Sequence, residues 1–149
     1  KAFAGVELPQ RTLGIVGLGA IGGLGADAAI RLGMKVTGFD PEITVDAAWR
    51  LPSSVRKAHS IDEVLKASDF VTLHVPLVPV TRHLVDARRL ALAKPGMTLL
   101  NFSRDAIVAK DAVIAALRGG NLKAYLTAFP SAKLIGAPDC GATAPGMIS

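Results

Sequence analysis

The stretch from residue 13 to residue 41 constrains the fold of this chain more than any other. An apolar run at residues 13–16 leads into a Gly-x-Gly-x-x-Gly turn made by Gly17, Gly19 and Gly22, and a second apolar run ends at Asp40, 18 residues after the third glycine. A strand, a glycine turn, a helix, a second strand and an acidic residue in this order are the layout of a dinucleotide-binding βαβ unit. Glycines alone are common in ordinary turns, so the prediction depends on the order of the whole stretch.

Each glycine has a separate physical task in such a unit. Gly17 permits the tight turn, Gly19 lets the backbone approach a pyrophosphate, and Gly22 lets the helix pack closely on the strand. The helix N-terminus then offers free N–H groups and a partial positive charge to the phosphates. Asp40 is placed to accept hydrogen bonds from the adenosine ribose and to repel the additional phosphate of NADP, so the predicted cofactor is NAD.

Composition limits the remaining possibilities. The chain has 149 residues, of which half are apolar and 19% are charged, and this predicts one globular domain with a buried core. No apolar run approaches the roughly 20 residues of a membrane span, and Lys and Arg are scattered among few aromatics, so we expect neither a membrane nor a nucleic acid as partner. The single cysteine, Cys140, indicates a reducing compartment, and we expect a cytoplasmic protein. Because the chain begins at Lys1 without a methionine, we expect it to be a piece of a longer protein.

Apolar runs and helical patterns alternate along the chain. They predict strands at residues 35–39, 69–75, 97–102 and 123–129, and helices at residues 20–33, 61–67, 81–93 and 110–118. Residues 41–60 are predicted as mostly loop with a short helix at 45–50, and residues 140–143 as a weak edge strand. Such alternation predicts a Rossmann-like, doubly wound α/β fold, a parallel sheet with helices on both faces.

Ligands bind beyond the carboxyl ends of the strands in such a sheet, so the residues there are the site candidates. Arg104 follows the strand at 97–102, and its guanidinium could hold a substrate carboxylate beside a nicotinamide by two parallel hydrogen bonds. A surface arginine is the alternative. His74 has no carboxylate next to it in sequence, which favours a hydrogen-bonded structural histidine. Because no metal-ligand spacing and no nucleophile with a base stand out, the chemistry must come largely from a bound cofactor.

Four segments together resemble a known family. They are residues 17–22 with Phe39-Asp40-Pro41, residues 73–77 (Leu-His-Val-Pro-Leu), residues 81–84 (Thr-Arg-His-Leu) and residues 100–104 (Leu-Asn-Phe-Ser-Arg). The chain resembles the D-2-hydroxyacid dehydrogenases, most closely their D-3-phosphoglycerate branch, over nearly its whole length. The resemblance implies that residues 1–149 are the NAD-binding domain of such an enzyme without its substrate domain, and that the substrate is a small 2-hydroxy acid.

The resemblance also assigns roles to single residues. Arg104 matches the family arginine that binds the substrate carboxylate, and it is the catalytic residue that we predict. Val75 and Pro76 would lie on the adenine side of the cofactor, and Phe102 and Ser103 on its nicotinamide side. The predicted cofactor-binding residues are Gly17, Gly19, Ala20, Ile21, Gly22, Asp40, Pro41, His74, Val75, Pro76, Thr81, Phe102, Ser103 and Arg104.

Other positions depart from the family pattern. The family has an Asp where this chain has Ala128, a Glu a few residues later where it has Ala132 and Lys133, and its acid/base His in a pair where it has Ala144 and Pro145. Asp105 replaces a family glycine, and Ala109 replaces an Asp that caps a helix. A base positioned to remove the substrate's hydroxyl proton typically supplies about 10²- to 10⁴-fold in rate. We therefore expect the chain to bind NAD and to be inactive alone.

Two other functions remain open from the sequence. A catalytically silent NAD-binding module could sense the cofactor or pair with partner proteins, and a methyltransferase could carry a similar glycine turn. The later motifs favour the dehydrogenase family over the methyltransferase. Related enzymes pair through this domain, so we also expect a homodimer.

Overall fold

Strands and helices alternate along the described chain, which is residues 7–129 and 140–142 of the computed structural model. The strands are β1 Thr12–Val16, β2 Lys35–Phe39, β3 Arg56–Lys57, β4 Phe70–Leu73, β5 Met97–Asn101, β6 Leu122–Thr127 and β7 Cys140–Ala142. The helices are α1 Ala20–Arg31, α2 Val45–Arg50, α3 Ile61–Ala67, α4 Ala87–Leu92 and α5 Lys110–Gly119, with a 3₁₀ turn at Asp105–Ile107.

The seven strands of the described chain lie parallel in one sheet, in the order β3-β2-β1-β4-β5-β6-β7. The chain runs outward from β1 to β3 and then returns to the other side of β1, where it continues with β4. Open α/β sheets bind their ligands at such a reversal of strand order. The predicted doubly wound parallel sheet is confirmed.

The apolar core lies on both faces of the sheet. Ile15 of β1 and Val36 of β2 pack with Ala26 and Ala29 of α1, whereas Val16, the next residue of β1, belongs to a larger cluster that contains residues of α3, α4 and α5. Successive side chains of a strand point to opposite faces, so neighbouring residues of β1 serve different clusters. Helices therefore cover both faces at β1, as near-continuous apolar strands require.

Most helices begin where a side chain can cap them. Ser60 Oγ accepts a hydrogen bond from the amide of Glu63 at 3.1 Å, and Asp86 Oδ1 accepts one from the amide of Arg89 at 3.0 Å. These bonds satisfy backbone donors that a helix start leaves unpaired. Helix α5 follows Ala109, which makes no such bond. This helix therefore lacks a stabilising contact that α3 and α4 have.

The helix predicted at residues 81–93 is too long, and its predicted first turn is wrong. His83 has a φ of +52°, and Val85 forms an isolated parallel bridge with Val108. Neither a left-handed residue nor an extended one continues a helix. Helix α4 begins only at Ala87, directly after the capping residue Asp86.

Residues 41–60 contain more regular structure than predicted. The short helix at 45–50 is confirmed as α2, but β3 pairs with Thr37 and Gly38 of β2 and was not predicted. A two-residue strand has no alternation that could reveal it. The weak edge strand is confirmed as β7, which pairs with β6. Within the described ranges, none of the helices has the length and apolar character needed to cross a bilayer.

Candidate cofactor and substrate site

The carboxyl ends of the central strands meet at one edge of the sheet. Val16 is in register with Phe39 and with Leu73, Leu73 with Asn101, and Asn101 with Thr127. Because these strands are parallel and end in register, the residues that follow them lie side by side. They are the glycine turn (residues 17–22), Asp40, the segment 74–76 and the arginine loop (residues 102–104).

Two glycines of the glycine turn have no room for a side chain. Gly17 has a φ of +96°, and a Cβ atom there would overlap the carbonyl oxygen of His74. A Cβ atom at Gly22 would overlap the carbonyl oxygen of Gly17. At Gly19 no described residue beyond its two chain neighbours lies within 4 Å of the Cβ position, so the backbone there is open to a ligand. Helix α1 starts directly after Gly19 without a side-chain cap, and its first-turn N–H groups are suited to an anion.

Asp40 fastens the glycine turn to the end of β2. Its Oδ2 atom accepts a hydrogen bond from the amide of Leu18 at 2.9 Å, and its Oδ1 atom accepts one from the amide of Glu42 at 2.9 Å. A carboxylate has about four acceptor positions, so both oxygens retain capacity for ribose hydroxyls. Asp40 therefore has a structural task in addition to the predicted cofactor contact, and the sequence pattern did not reveal that task.

Space for a ligand lies on both sides of Leu18. A largely apolar cavity of about 530 Å³ is lined by Asp40 and Pro41 at the end of β2. A second cavity of about 470 Å³ lies between α1 and α2 and touches Gly19 and Ala20. Ligand sites commonly occupy roughly 300–1,000 Å³. The surroundings of the glycine turn are thus roomy enough for a small molecule.

His74 directly follows β4 and is half-buried. Its Nε2 atom lies 3.0 Å from Thr72 Oγ1, and its amide donates to the carbonyl of Val16 at 2.7 Å. Burial lowers the pKa of the His74 imidazole below its ordinary value of 6.5, so the ring is neutral near pH 7. These contacts are those of a hydrogen-bonded structural histidine, placed where its carbonyl also limits the space at Gly17.

Thr81 closes the loop that follows β4. Its Oγ1 atom donates to the carbonyl of Pro76 at 2.6 Å and accepts a hydrogen bond from the amide of Val78 at 2.9 Å. The hydroxyl proton is therefore used inside the loop. Thr81 fixes the backbone of Pro76, next to the half-buried Val75, and whether it also contacts the cofactor stays a prediction.

The arginine loop follows β5 and is largely open to solvent. Phe102 is 46% exposed, Ser103 is half-buried and Arg104 is exposed. Arg104 Nη1 donates to the carbonyl of Ser103 at 2.9 Å. No acidic side chain of residues 7–129 forms an ion pair with the Arg104 guanidinium. Most of its five donors are therefore open to an anion.

Tyr125 is a residue of this region that the sequence analysis missed. It is fully buried in β6, and its hydroxyl oxygen lies 3.3 Å from Nδ2 of Asn101, beneath the arginine loop. A polar residue that ends an apolar strand is a visible signal for Asn101. Tyr125 lies inside the next strand along the sheet, where an aromatic residue is expected for packing alone, so no local signal marks it.

The positions that depart from the family pattern lie partly within the described chain. Asp105 Oδ2 pairs with Lys110 Nζ at 2.8 Å, while Asp105 Oδ1 is buried and has no hydrogen-bond partner among the described residues. Ala128 follows β6 and offers no polar group. Ala132 and Pro145 lie outside the described residues. In the part of the chain that is described, His, Cys, Asp and Glu side chains form no group of three that could hold a metal ion.

Comparison with known families identifies the domain. Residues 1–132 match the family model of the D-isomer specific 2-hydroxyacid dehydrogenase, NAD binding domain. The chain belongs to this family. The resemblance that the motifs predicted is confirmed, and so is NAD as the cofactor of the domain.

Individual members of the 2-hydroxyacid dehydrogenase family are similar along most of this chain. It is 38% identical over 124 residues to D-3-phosphoglycerate dehydrogenase of Methanocaldococcus jannaschii, which covers 83% of the chain and 23% of that protein. It is 42% identical over 123 residues to (S)-sulfolactate dehydrogenase of Chromohalobacter salexigens, and this match covers 82% of the chain and 39% of that protein. The apo structure of D-mandelate dehydrogenase from Rhodotorula graminis superimposes with a TM-score of 0.83 at 31% identity, covering 93% of this chain and 42% of that one. The chain thus spans less than half the length of each relative.

The described residues fit the cofactor of this family. The open backbone at Gly19 and the uncapped start of α1 leave space and N–H donors for a pyrophosphate. Asp40 places a negative charge at the end of β2, which suits ribose hydroxyls and opposes a ribose phosphate. The fit therefore depends on the shape of the backbone and on one carboxylate.

Proposed function

We propose that this chain is the cofactor-binding domain of an NAD-dependent oxidoreductase for a small D-2-hydroxy acid of the D-3-phosphoglycerate type, and that it is inactive alone. One observation carries the proposal: a single sheet edge holds the glycine turn with Asp40 and, across the switch point, the exposed guanidinium of Arg104. Hydride transfer from an anionic alcohol needs a nicotinamide cradle beside a carboxylate-binding group.

The residues of this edge divide the work between cofactor and substrate. The first turn of α1 would hold the pyrophosphate, Asp40 the ribose hydroxyls, and Arg104 the substrate carboxylate through two parallel hydrogen bonds. Bound NAD supplies the acceptor for the hydrogen and the electron pair that leave the alcohol carbon. The hydroxyl proton needs a separate base, and Ala132 and Pro145 stand where the resemblance places the family's acid/base pair.

Measuring turnover by the isolated chain tests the proposal that it is inactive alone. Enzymes commonly reach a kcat of about 1–10³ s⁻¹. We expect no formation of NADH from NAD and D-3-phosphoglycerate at such rates, because the positioned base is missing. Turnover in that range would contradict the proposal. In a full-length context, activity restored by Ala132→Glu with Pro145→His would favour the dehydrogenase over a silent NAD-binding module.

Measuring the binding of NADH tests the proposal that the chain is a cofactor-binding domain. NADH fluorescence, titrated with the chain, should report binding that is at least about tenfold tighter than that of NADPH, because the Asp40 carboxylate repels a 2′-phosphate. Asp40→Ala should weaken NADH binding by about tenfold or more and reduce the preference over NADPH. Asp46→Ala, which removes an exposed carboxylate from α2, is the matched control and should leave both affinities unchanged. Absence of NADH binding at millimolar concentration would remove the cofactor assignment.

We also propose that the chain forms a homodimer through α1. Ile21 and Leu24 are 66% and 68% exposed, and Leu32, at the C-terminal end of α1, is 56% exposed. With the exposed Ala28 between them, Leu24 and Leu32 form a stripe at intervals of four residues. Such a stripe is symmetric about its small central residue, so two copies of α1 could pack on each other with the same surface.

The molar mass in solution tests the dimer. Light scattering at high concentration should give twice the mass of one chain, and Leu24→Glu should give the monomer because it places a charge within the apolar contact. Val80→Glu alters an apolar residue that is 81% exposed in the loop after β4, and it should leave the mass unchanged. A wild-type chain that stays monomeric would contradict this proposal.

A further inference from the structure

Asn101 connects the arginine loop to the core of the sheet. It is fully buried at the end of β5, and its Nδ2 atom donates to the carbonyl of Arg104 at 3.0 Å and to Tyr125 Oη at 3.3 Å. Its Oδ1 atom accepts hydrogen bonds from the amide of Ser103 at 3.3 Å and from Ser103 Oγ at 3.2 Å. Both amide protons and both lone-pair directions of the side chain are thus occupied.

Tyr125 provides the fixed end of this network. It is fully buried in β6, two residues before Thr127, the β6 residue in register with Asn101. Its ring belongs to the large apolar cluster that includes Leu99 and Ile107, so the phenol has little freedom to move. A buried tyrosine hydroxyl that contacts a polar side chain holds that side chain in place.

The network reaches the guanidinium of Arg104 in a few steps. Tyr125 holds Asn101, Asn101 holds both the amide of Ser103 and the carbonyl of Arg104, and Ser103 O accepts a hydrogen bond from Arg104 Nη1. The exposed arginine loop therefore depends for its shape on a residue that lies one strand away. Groups that act on a reacting centre need to be held by packed neighbours in this way.

We propose that Tyr125 and Asn101 are positioning residues for Ser103 and Arg104, so that they set the nicotinamide and carboxylate end of the site without touching either ligand. This inference depends on the proposed function. It predicts an asymmetry between the two ends of NAD. Loss of the Tyr125 hydroxyl disturbs the arginine loop but leaves the glycine turn and Asp40 intact, because these are held by other contacts.

Comparing the Kd of NADH with the Kd of ADP-ribose measures this asymmetry. ADP-ribose contains the pyrophosphate and the adenosine ribose of NADH but no nicotinamide. In Tyr125→Phe the Kd of NADH should rise by about fivefold, because the Asn101 amide loses one of its partners and the loop is less well held, while the Kd of ADP-ribose should change by less than about twofold. Asn101→Asp also replaces the Nδ2 donor that faces the carbonyl of Arg104. It should therefore raise the ratio of the NADH Kd to the ADP-ribose Kd further than Tyr125→Phe does.

A control variant separates positioning from general stability. Met97 is fully buried at the amino end of the same strand as Asn101, so Met97→Ala should lower the melting temperature without changing the ratio of the two Kd values. Equal effects of Tyr125→Phe on NADH and ADP-ribose, or no effect on either, would overturn the inference. Failure of the wild-type chain to bind either ligand would instead count against the proposed function.

Amide exchange tests the network without any ligand. In ¹⁵N-labelled protein, Tyr125→Phe should shift the amide signals of Ser103 and Arg104 and accelerate hydrogen exchange at Ser103, while the amides of Gly17 and Leu18 stay unchanged. If the signals of the arginine loop do not move, Tyr125 is only a packing residue and the inference is wrong. This holds even for a chain that binds no NAD.

Discussion

The glycine turn and the arginine loop lie at the same edge of the sheet but are held in different ways. At the glycine turn, backbone packs against backbone: Gly17 lies against the carbonyl of His74, and Gly22 against the carbonyl of Gly17. At the arginine loop, a side-chain network anchored at Tyr125 holds the backbone. The first arrangement leaves its mark as glycines in the sequence, whereas Tyr125, the anchor of the second, has no local signal in the sequence.

The difference also concerns which half of the site is complete. The half that would hold the adenosine and pyrophosphate retains its glycines and Asp40. The half that would hold the substrate retains Arg104, but Ala109 gives α5 no side-chain cap, and a buried oxygen of Asp105 has no hydrogen-bond partner within residues 7–129 and 140–142. Both of these unfavourable features thus lie in the half that would hold the substrate.

Gly22→Ala should have the largest effect on stability and on NADH binding. A methyl group at this position overlaps a backbone oxygen that cannot move aside, so we expect a loss of about 3 kcal/mol in the free energy of unfolding together with loss of NADH binding. Urea unfolding measures the first and NADH fluorescence the second. Gly25→Ala is the matched control in the same helix. Apart from its chain neighbours and the backbone of α1, no described residue lies within 4 Å of its Cβ position, so Gly25→Ala should stabilise the chain by about 0.5–1 kcal/mol. A harmless Gly22→Ala would disprove the claim that backbone packing holds the glycine turn.

Ala109→Asp should have an intermediate effect on the free energy of unfolding, and it tests the half of the site that would hold the substrate. A carboxylate at this position can accept a hydrogen bond from the first turn of α5, so we expect stabilisation by about 1 kcal/mol in urea unfolding. The control is the reverse change at a helix that has its cap: Asp86→Ala should destabilise the chain by about 1 kcal/mol. If Ala109→Asp has no effect, the missing cap is not a weakness of the substrate half.

His74→Gln should give the smallest effect, visible only as a change in pH dependence. Burial lowers the pKa of this imidazole in the folded chain, so the unfolded chain binds more protons once the pH falls below about 6.5. The contribution of His74 is therefore fully present above that pH and is lost as the pH falls from 6.5 through the lower pKa of the folded state. Unfolding measured between pH 7.5 and pH 5 should show a weaker decline in His74→Gln than in the wild type. An identical decline would show that burial of His74 does not affect stability.

Much of the fold could be predicted because its signals are local. The glycine turn, the capping pair Ser60 and Glu63, and Gly120, which ends α5 with a φ of +82°, each specify a conformation within a few residues. The first turn of the helix predicted at 81–93 is wrong because apolar spacing does not report the left-handed conformation of His83 or the isolated bridge from Val85 to Val108. The two-residue strand β3 is defined only by its pairing with β2.

The family, the cofactor and the residues at the strand ends could be predicted from local sequence, because the spacing of the three glycines and an acid at a fixed distance are properties of short stretches of chain. The contacts that hold those residues depend on the tertiary structure. Asp40 binds the amide of Leu18 across 22 positions, and Asn101 meets Tyr125 across 24. Such contacts arise when parallel strands end in register at one edge, and no periodicity along the chain encodes which side chains then meet.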